Sequence, residues 1–440
     1  MSLHEIFQWI IGSVFGVLSV LYVILPFGGA QRLAGSITNT LPETPESFTP
    51  AVRFVVFTDS HNQNDHVADA VDTAYELFDN DPVYKGVDAF FGLGDFSSVG
   101  GEGDYANYAR TLREHVRGDT VLVNIHGNHE FKEPHYKEYF VKHFGHDPDT
   151  VTEINGFSFI AFSGTRGATE WTFTPKSLKW LSDAINEAED KATDGRAIFV
   201  FQHPHPWGTV YGSTYWGDPQ LNVVLNGHHR VVDFSGHSHF PMNDPRSLIQ
   251  TSYTSVGCGA MATFETDKNY LPGHHPDGYD PAAQMCVVEA DTAGAVRILE
   301  YDLLSDTFFN EYYIADVNDA KNYAYTYRNM KAHDGKPRFA ENTLVSARKN
   351  EGGEWVISFP EAEGGCIVHH YNVVIRDENG KKIYKNTFVD DYFVIDEDDT
   401  ADFRIGSDTL EAGKTYTATL QAVSAYHNKS EKLTVSFTAE

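Results

Sequence analysis

The feature that most constrains this chain is a succession of apolar strand candidates, most of which end directly at Asp, His or Asn. The strand candidates are 52–58, 87–92, 120–125, 157–162, 197–202 and 231–235. Helix candidates lie between them at 64–79, 105–116 and 175–189. Strands that alternate with helices in this way predict an α/β layered domain, and the pattern ends near residue 315.

The polar residues that follow these strands belong to five short motifs. In chain order the motifs are T-D-S-H, G-L-G-D, G-N-H-E, Q-H and G-H-S-H. Ligands of open α/β sheets bind in the crevice outside the carboxyl ends of the strands, so we expect these side chains to face one crevice. The residues concerned are Asp59, His61, Asp95, Asn128, His129, His203, His237 and His239.

The chemistry of this set points to a metal. Oxygen and imidazole ligands without cysteine suit Mn, Fe, Zn, Co or Ni better than Ca. In extended backbone a spacing of two would place His237 and His239 on the same face, where two imidazoles gain little unless a cation lies beside them. Each residue taken alone has a plainer explanation, such as a turn, a helix cap or a packed histidine. Their joint, ordered occurrence favours a metal site.

The five motifs together resemble those of the calcineurin-like metallophosphoesterase superfamily, over about residues 55–320. The resemblance implies a layered core of two β-sheets flanked by helices, and two divalent ions bridged by Asp95. It implies that one ion is bound by Asp59, His61, Asp95 and His239, and the other by Asp95, Asn128, His203 and His237. Purple acid phosphatases of the superfamily carry a ligand tyrosine three residues after the G-D aspartate. Ser98 stands there in this chain, so a tyrosinate–iron centre is not expected.

The resemblance also implies an activity. A hydroxide bridging the two ions would attack a phosphomonoester or phosphodiester, and His129 would assist the leaving group. Cleavage of pyrophosphate or of a phospholipid is compatible with the same metals. The alternative is a non-catalytic surface or adhesion protein that works through its C-terminal region. Because all seven ligand positions are filled and His129 is present, the sequence favours the enzyme.

Substrate contacts are less constrained by the sequence. The segment after His203 is aromatic, which fits either a stacking wall for a base or sugar or an apolar cover of the sheet edge. Its aromatic residues are Trp207, Tyr211, Tyr215 and Trp216. His205 is expected to be an ordinary loop histidine rather than a site residue. For Arg166, a solvated loop position is favoured over a grip on phosphate.

The N-terminus is strongly apolar from Ile6 to Phe27, which as a helix would span roughly 33 Å, enough to cross a bilayer. We expect residues 1–30 to be an uncleaved membrane anchor, with a cleaved export signal and a buried core helix as the second and third alternatives. Residues 31–50 are rich in Ser, Thr and Pro and are predicted to be a linker. Either of the first two alternatives places the catalytic domain outside the cytoplasm, membrane-anchored or secreted.

The remaining domain boundaries follow from a change in the residue pattern along the chain. The metallophosphoesterase domain is predicted to cover 51–320, with a linker at 321–339. Residues 340–440 consist of short alternating segments between turn signals, which predicts a small all-β sandwich. Residues 354–440 resemble a fibronectin type III domain, with a Trp on an early strand and the late strand T-Y-T-A-T-L-Q-A-V-S-A.

Charge and cysteine content exclude some classes of partner and fold. The net charge is −29, from 33 basic and 62 acidic residues. Nucleic acid bound through a basic surface is therefore excluded, whereas a phosphate ester that meets a bound metal is not. The three cysteines are scattered, so we expect neither a disulfide framework nor a thiolate zinc site. All three are expected to be small buried residues.

Overall fold

The fold was taken from a computed structural model, which describes residues 40–166, 172–268, 271–274, 281–395 and 399–440. The apolar segment Ile6–Phe27, predicted as the anchor, lies outside these residues. Among the helices of the described ranges, none combines the length and the apolar character that crossing a bilayer requires.

Two six-stranded sheets form the first domain. In spatial order the first sheet contains Thr307–Ile314, Val296–Asp302, Gln284–Ala290, Val52–Phe57, Ala89–Gly92 and Val121–Asn124. The second contains Leu248–Gln250, Thr254–Gly257, Val231–Ser235, Ile198–Gln202, Phe157–Phe162 and Thr150–Ile154. Two short pairs lie outside the sheets, His205–Pro206 with Gly217–Asp218 and Thr266–Lys268 with Leu271–His274.

Helices follow most of the parallel strands. They are Asn64–Phe78, Glu102–His115, Tyr136–Phe144, Pro175–Lys191, Ser213–Trp216, Pro219–Leu225 and Tyr327–Asp334. Three short 3₁₀ turns are Glu130–Lys132, Pro245–Ser247 and Ala320–Asn322. The helix from Pro175 begins as the sequence indicates, because proline suits the first turn and the Thr174 hydroxyl caps the backbone N–H of Ser177.

The strands that carry the motifs run parallel within each sheet. Val52–Phe57, Ala89–Gly92 and Val121–Asn124 are parallel neighbours in the first sheet. Phe157–Phe162, Ile198–Gln202 and Val231–Ser235 are parallel neighbours in the second. Their carboxyl ends therefore lie at one edge of each sheet, and this is what brings distant motifs together.

Phe54 lies at the centre of the apolar layer between the two sheets. Its ring is fully buried and lies within 5.9 Å, centroid to centroid, of five other phenylalanine rings. These are Phe91, Phe159, Phe199, Phe201 and Phe234. Because the first belongs to one sheet and the other four to the second, the interdigitated rings hold the two sheets together.

The C-terminal region is all-β, and it confirms the predicted class of an α/β layered core followed by a small β-domain. One sheet contains Ser346–Lys349, Trp355–Pro360 and Thr400–Ile405. The other contains Lys382–Val389, Val368–Arg376, Thr415–Ser424 and Leu433–Thr438. Trp355 is fully buried in the apolar cluster between these sheets.

Two details differ from expectation or add to it. Cys258 and Cys286 are buried as expected, but Cys366 is exposed because it follows the Gly364–Gly365 turn, so the prediction for Cys366 was wrong. The predicted linker at 321–339 contains the helix Tyr327–Asp334, and the Asp334 carboxylate accepts a hydrogen bond from the Asn428 amide of the C-terminal domain at 2.9 Å.

Replacing Phe54 with alanine should remove the contact that both sheets share. We expect a loss of about 3–5 kcal/mol in the free energy of unfolding, the usual cost of truncating a fully buried phenylalanine. Denaturant unfolding followed by tryptophan fluorescence measures this loss. Val223→Ala is the matched control, since Val223 is 80% exposed and should change stability by less than about 0.5 kcal/mol. Equal midpoints for the two variants would contradict the packing described.

Candidate metal centre

The predicted site residues fall into two groups at the strand ends, and the first group contains Asp59, His61 and His239. The Nε2 atom of His239 lies 3.2 Å from Oδ1 of Asp59. The Nε2 atoms of His61 and His239 are 3.1 Å apart. Each residue of this group offers one ligand atom, and these atoms lie within 4.8 Å of one another. This is the spacing of groups that share one cation.

The second group contains Asp95, Asn128, His203 and His237. The Nε2 atom of His203 lies 3.2 Å from Oδ2 of Asp95 and 3.1 Å from the side-chain oxygen of Asn128. The rings of His203 and His237 are 4.9 Å apart, and ligand atoms of Asp95, His203 and His237 lie within 4.8 Å of one another. The four strand-end motifs from which these residues come therefore converge on one point.

The two carboxylates connect the groups. Oδ2 of Asp95 lies 3.9 Å from Nε2 of His61, and Oδ1 of Asp59 lies 3.9 Å from Nε2 of His203. His129 borders the same space, with its Nε2 4.0 Å from Oδ2 of Asp95. All eight residues singled out from the sequence thus surround a single space.

Each carboxylate has one oxygen held by the protein and the other turned to this space. Oδ2 of Asp59 accepts hydrogen bonds from the Thr58 hydroxyl at 2.7 Å and from the backbone N–H of His237 at 2.8 Å. Oδ1 of Asp95 accepts from the backbone N–H of His129 at 2.7 Å. Oδ1 of Asp59 is buried without a hydrogen-bond partner. A buried, unsatisfied carboxylate oxygen is costly, and a cation at this place would satisfy it.

The imidazoles are oriented by backbone carbonyls. The Nδ1–H of His203 donates to the carbonyl of Leu93 at 2.8 Å, and that of His239 donates to the carbonyl of Thr263 at 3.0 Å. With the proton on Nδ1, the lone pair of Nε2 faces the space between the groups. Histidines that bind metals are typically held in this way.

The electrostatics of the site suit a divalent cation. Burial alone would raise the pKa of Asp59, but His239 and His203 outweigh this and hold it well below its usual range. Burial opposes protonation of His203, yet Asp95 and Asp59 raise its pKa to about 9. The two carboxylates thus stay ionised and attract positive charge into the site. A metal would supply that charge in place of protons.

The backbone is left-handed at five of the seven predicted ligands. The φ values are 54° at Asp59, 42° at His61, 47° at Asp95, 71° at His237 and 55° at His239. Such conformations cost about 1–3 kcal/mol each in non-glycine residues and cluster at functional sites. The G-H-S-H segment is therefore a tight turn rather than the extended strand considered from the sequence. The turn directs His237 toward His203 and His239 toward His61, so each histidine belongs to a different group.

Glu130 is a functional residue that the sequence analysis did not single out, although it is the last residue of G-N-H-E. It is fully buried, and its carboxylate accepts from the backbone N–H groups of Asp95, Ser97 and Gly127 at 2.9, 2.9 and 2.7 Å. It thereby joins the loop that carries Asp95 to the loop that carries Asn128. A carboxylate that follows two candidate site residues, Asn128 and His129, was the available signal.

His205 is a positioning residue and not a ligand. Its two ring nitrogens contact the hydroxyls of Ser235 and Ser238, both at 2.7 Å. Burial lowers its pKa to about 3, so the ring is neutral near pH 7. It holds together the strand end and the turn that carries His237 and His239.

A cavity opens beside the second group. It is lined by Asn128, His203 and His237 together with Arg166, Pro204, Trp216, Gly217 and Asp218. The Arg166 guanidinium lies over the rings of Phe131 and Phe173, at 4.7 and 4.3 Å, so the expectation of a solvated loop arginine was wrong. The aromatic segment divides in two, since Trp216 lines the cavity while the partly buried Tyr211 packs on Phe240.

Replacing Gly127 with alanine should disturb the metal centre without unfolding the chain. A Cβ atom there would collide with Oδ1 and the backbone nitrogen of Asp95, so the loop that carries Asp95 would have to shift. We expect the bound metal to fall at least about 10-fold while the circular dichroism spectrum is kept. Gly103→Ala is the control, because a Cβ there meets nothing within 4 Å. Unchanged metal content in Gly127→Ala would refute the close approach of these loops.

Comparison with known proteins agrees with this geometry. Residues 52–241 match the family model described as calcineurin-like phosphoesterase. A comparison with curated protein sequences gives no match.

Among solved structures, a purple acid phosphatase from yellow lupin (Lupinus luteus) seeds is 12% identical with a TM-score of 0.42. The match covers 65% of this chain and 56% of the lupin chain, so the chain spans little more than half of that structure. A cold-active protein tyrosine phosphatase is 11% identical with a TM-score of 0.26, over 63% of this chain and 82% of that chain. The segment that contains all eight site residues therefore matches the calcineurin-like phosphoesterase family model.

Proposed function

We propose that the chain is a dinuclear-metal phosphoesterase that hydrolyses phosphate monoesters or diesters. The observation that carries the proposal is the pair of ligand groups described above, which meet at Asp95 and at the unsatisfied Oδ1 of Asp59. One ion would be bound by Asp59, His61, Asp95 and His239. The other would be bound by Asp95, Asn128, His203 and His237.

The donor set suits this role. Carboxylate, amide and imidazole ligands fit Mn, Fe, Zn, Co or Ni. When bound, such ions would polarise phosphoryl oxygens and lower the pKa of a water molecule. Asp95 is the residue placed to bridge them, because its Oδ2 is 3.2 Å from Nε2 of His203 and 3.9 Å from Nε2 of His61.

His129 is placed to transfer a proton to the leaving group. Its Nδ1–H donates to the carbonyl of Ser98 at 2.7 Å, which fixes the ring and leaves Nε2 at the edge of the site. The ring is 28% exposed, so a substrate oxygen can approach it. When both ring nitrogens carry protons, a histidine held in this way can give its Nε2 proton to an alkoxide as it departs.

Arg166 is the cation that the cavity offers to a phosphate. It shares the cavity wall with Asn128, His203 and His237, and its two aromatic neighbours hold the guanidinium in place. A planar guanidinium can contact two phosphate oxygens at once. We propose that it binds the phosphoryl group of the substrate next to the second ion.

The location of the enzyme remains a proposal from the sequence. We propose that Ile6–Phe27 anchors the chain and that the catalytic domain lies outside the cytoplasm. The full-length protein should stay in the membrane fraction after alkaline carbonate extraction, whereas a chain starting at residue 40 should be released. Release of both would contradict the anchor.

The bridging carboxylate provides the direct test of the enzyme. Asp95→Asn keeps the shape of the side chain but removes the charge that two cations would share. We expect kcat/KM for bis(p-nitrophenyl) phosphate to fall more than about 100-fold, beyond the usual cost of disturbing a residue behind the ligands. Asp69→Asn is the matched control, since Asp69 is exposed on the helix Asn64–Phe78. Full activity of Asp95→Asn with two bound metals would contradict the assignment.

The role of His129 predicts a dependence on the leaving group. In His129→Ala, esters with alkyl leaving groups should lose about 10²- to 10⁴-fold in kcat, because an alkoxide needs a proton to depart. Esters of p-nitrophenol should lose much less, since that leaving group is stable as an anion. The measurement is kcat for a series of diesters that differ in leaving-group pKa. A uniform loss across the series would exclude proton transfer by His129.

A further inference from the structure

We propose that the C-terminal β-domain contributes to metal binding, because it fixes the segment that orients His239. The binding of the ion at Asp59, His61 and His239 should then depend on contacts with residues beyond 340. The inference rests on the metal site proposed above. It gives the C-terminal domain a role that differs from adhesion.

Residues 260–267, here called the His239 support, form hydrogen bonds that position the first ligand group. The carbonyl of Thr263 accepts the Nδ1–H of His239 at 3.0 Å, and the backbone N–H of Glu265 donates to the carbonyl of His239 at 3.0 Å. The backbone N–H of Met261 donates to the carbonyl of Thr58, next to Asp59, at 3.0 Å. The support therefore determines which way His239 points.

An apolar contact with the C-terminal domain covers the outer side of the His239 support. Phe393 of the C-terminal domain is 3% exposed and packs on Phe264, with ring centroids 5.7 Å apart. The two rings share a small buried cluster with Ala260 and Ala282. Phe264 is only one residue from Thr263, so loss of this packing would free the carbonyl that His239 uses.

The third step is a buried polar contact at the end of the support. His369 of the C-terminal domain lies with its Nε2 3.2 Å from Oδ1 of Asp267 and 2.7 Å from the hydroxyl of Tyr211. Tyr211 also donates to Asp267, and its ring packs on Phe240 at 4.3 Å. Because Phe240 directly follows His239, this contact holds the ligand from its other side.

The second ligand group is held from within the α/β domain, and this gives the proposal a distinctive signature. The fixed partners of His203 and Asp95 are the Leu93 carbonyl and the loop that Glu130 ties together. The turn at His237 is bound by His205 through Ser235 and Ser238, which also belong to this domain. Loosening of the β-domain should therefore weaken one ion and leave the other. A general loss of stability would weaken both.

The test is Mn²⁺ binding to the full-length chain, measured by isothermal titration calorimetry and by metal analysis after dialysis. We expect two sites in the parent protein. In Phe393→Ala, one site should weaken by about 10- to 100-fold, the range found when a residue behind a metal ligand is lost. The other site should keep its affinity. The readout is independent of turnover.

Phe437→Ala is the matched control, because it removes the same side chain from the β-domain core on the strand Leu433–Thr438 at the far edge of its sheet. His369→Ala and His369→Gln form a second pair. Glutamine retains an N–H donor for Asp267 and should restore most of the affinity that alanine loses.

The outcomes separate the two proposals. If the parent protein binds no Mn²⁺ or other divalent transition metal, the metal site itself fails and the inference fails with it. If the parent binds two ions and Phe393→Ala binds both equally well, only the role of the β-domain is overturned. The same holds if Phe437→Ala weakens one ion as much as Phe393→Ala does, since the effect would then be general destabilisation.

Discussion

The burial of two carboxylates side by side is the constraint on which the rest of this structure depends. Asp59 and Asp95 are at most 2% exposed, and removing a charge from water costs several kcal/mol per ion unless something compensates it. Backbone N–H groups and a hydroxyl compensate one oxygen of each, and imidazoles surround the other. The strand-end loops, their left-handed residues and Glu130 all keep Oδ1 of Asp59 and Oδ2 of Asp95 facing the surrounding imidazoles. Positive charge placed between these two oxygens would balance the two carboxylates.

Much of the α/β domain could be predicted from the sequence, because its strands are long apolar runs and its site residues stand directly after them. Parallel pairing brings Asp59 and Asp95 to one edge of the first sheet, and His203 to one edge of the second. The packing of the two sheets then brings these two edges together. The edge within each sheet follows from the order of the motifs and the geometry of parallel sheets, whereas the two-sheet core was implied by the family resemblance. The family match over 52–241 agrees with it.

The remaining features depend on tertiary contacts that a local pattern does not contain. The turn at His237 and His239 is set by the serines that bind His205, so a spacing of two gave the wrong backbone. The position of Arg166 depends on Phe131 and Phe173, which belong to different loops. His369 contacts Asp267, and this contact joins two domains whose patterns of strands and turns differ in the sequence. Exposure of Cys366 likewise depends on how the chain enters the β-domain.

The pairing of the first strand has a consequence for how the enzyme is made. Val52–Phe57 lies in the middle of its sheet, between Ala89–Gly92 and the antiparallel strand Gln284–Ala290, in which Ala290 faces Val52. The strand Gln284–Ala290 thus leaves the ribosome about 240 residues after Val52–Phe57, with which it pairs. A nascent chain that has reached residue 241 already contains every proposed metal ligand, yet it exposes an unpaired apolar strand edge. Until the later strands arrive, such a chain needs protection from aggregation, because an unpaired apolar strand edge can pair with another chain.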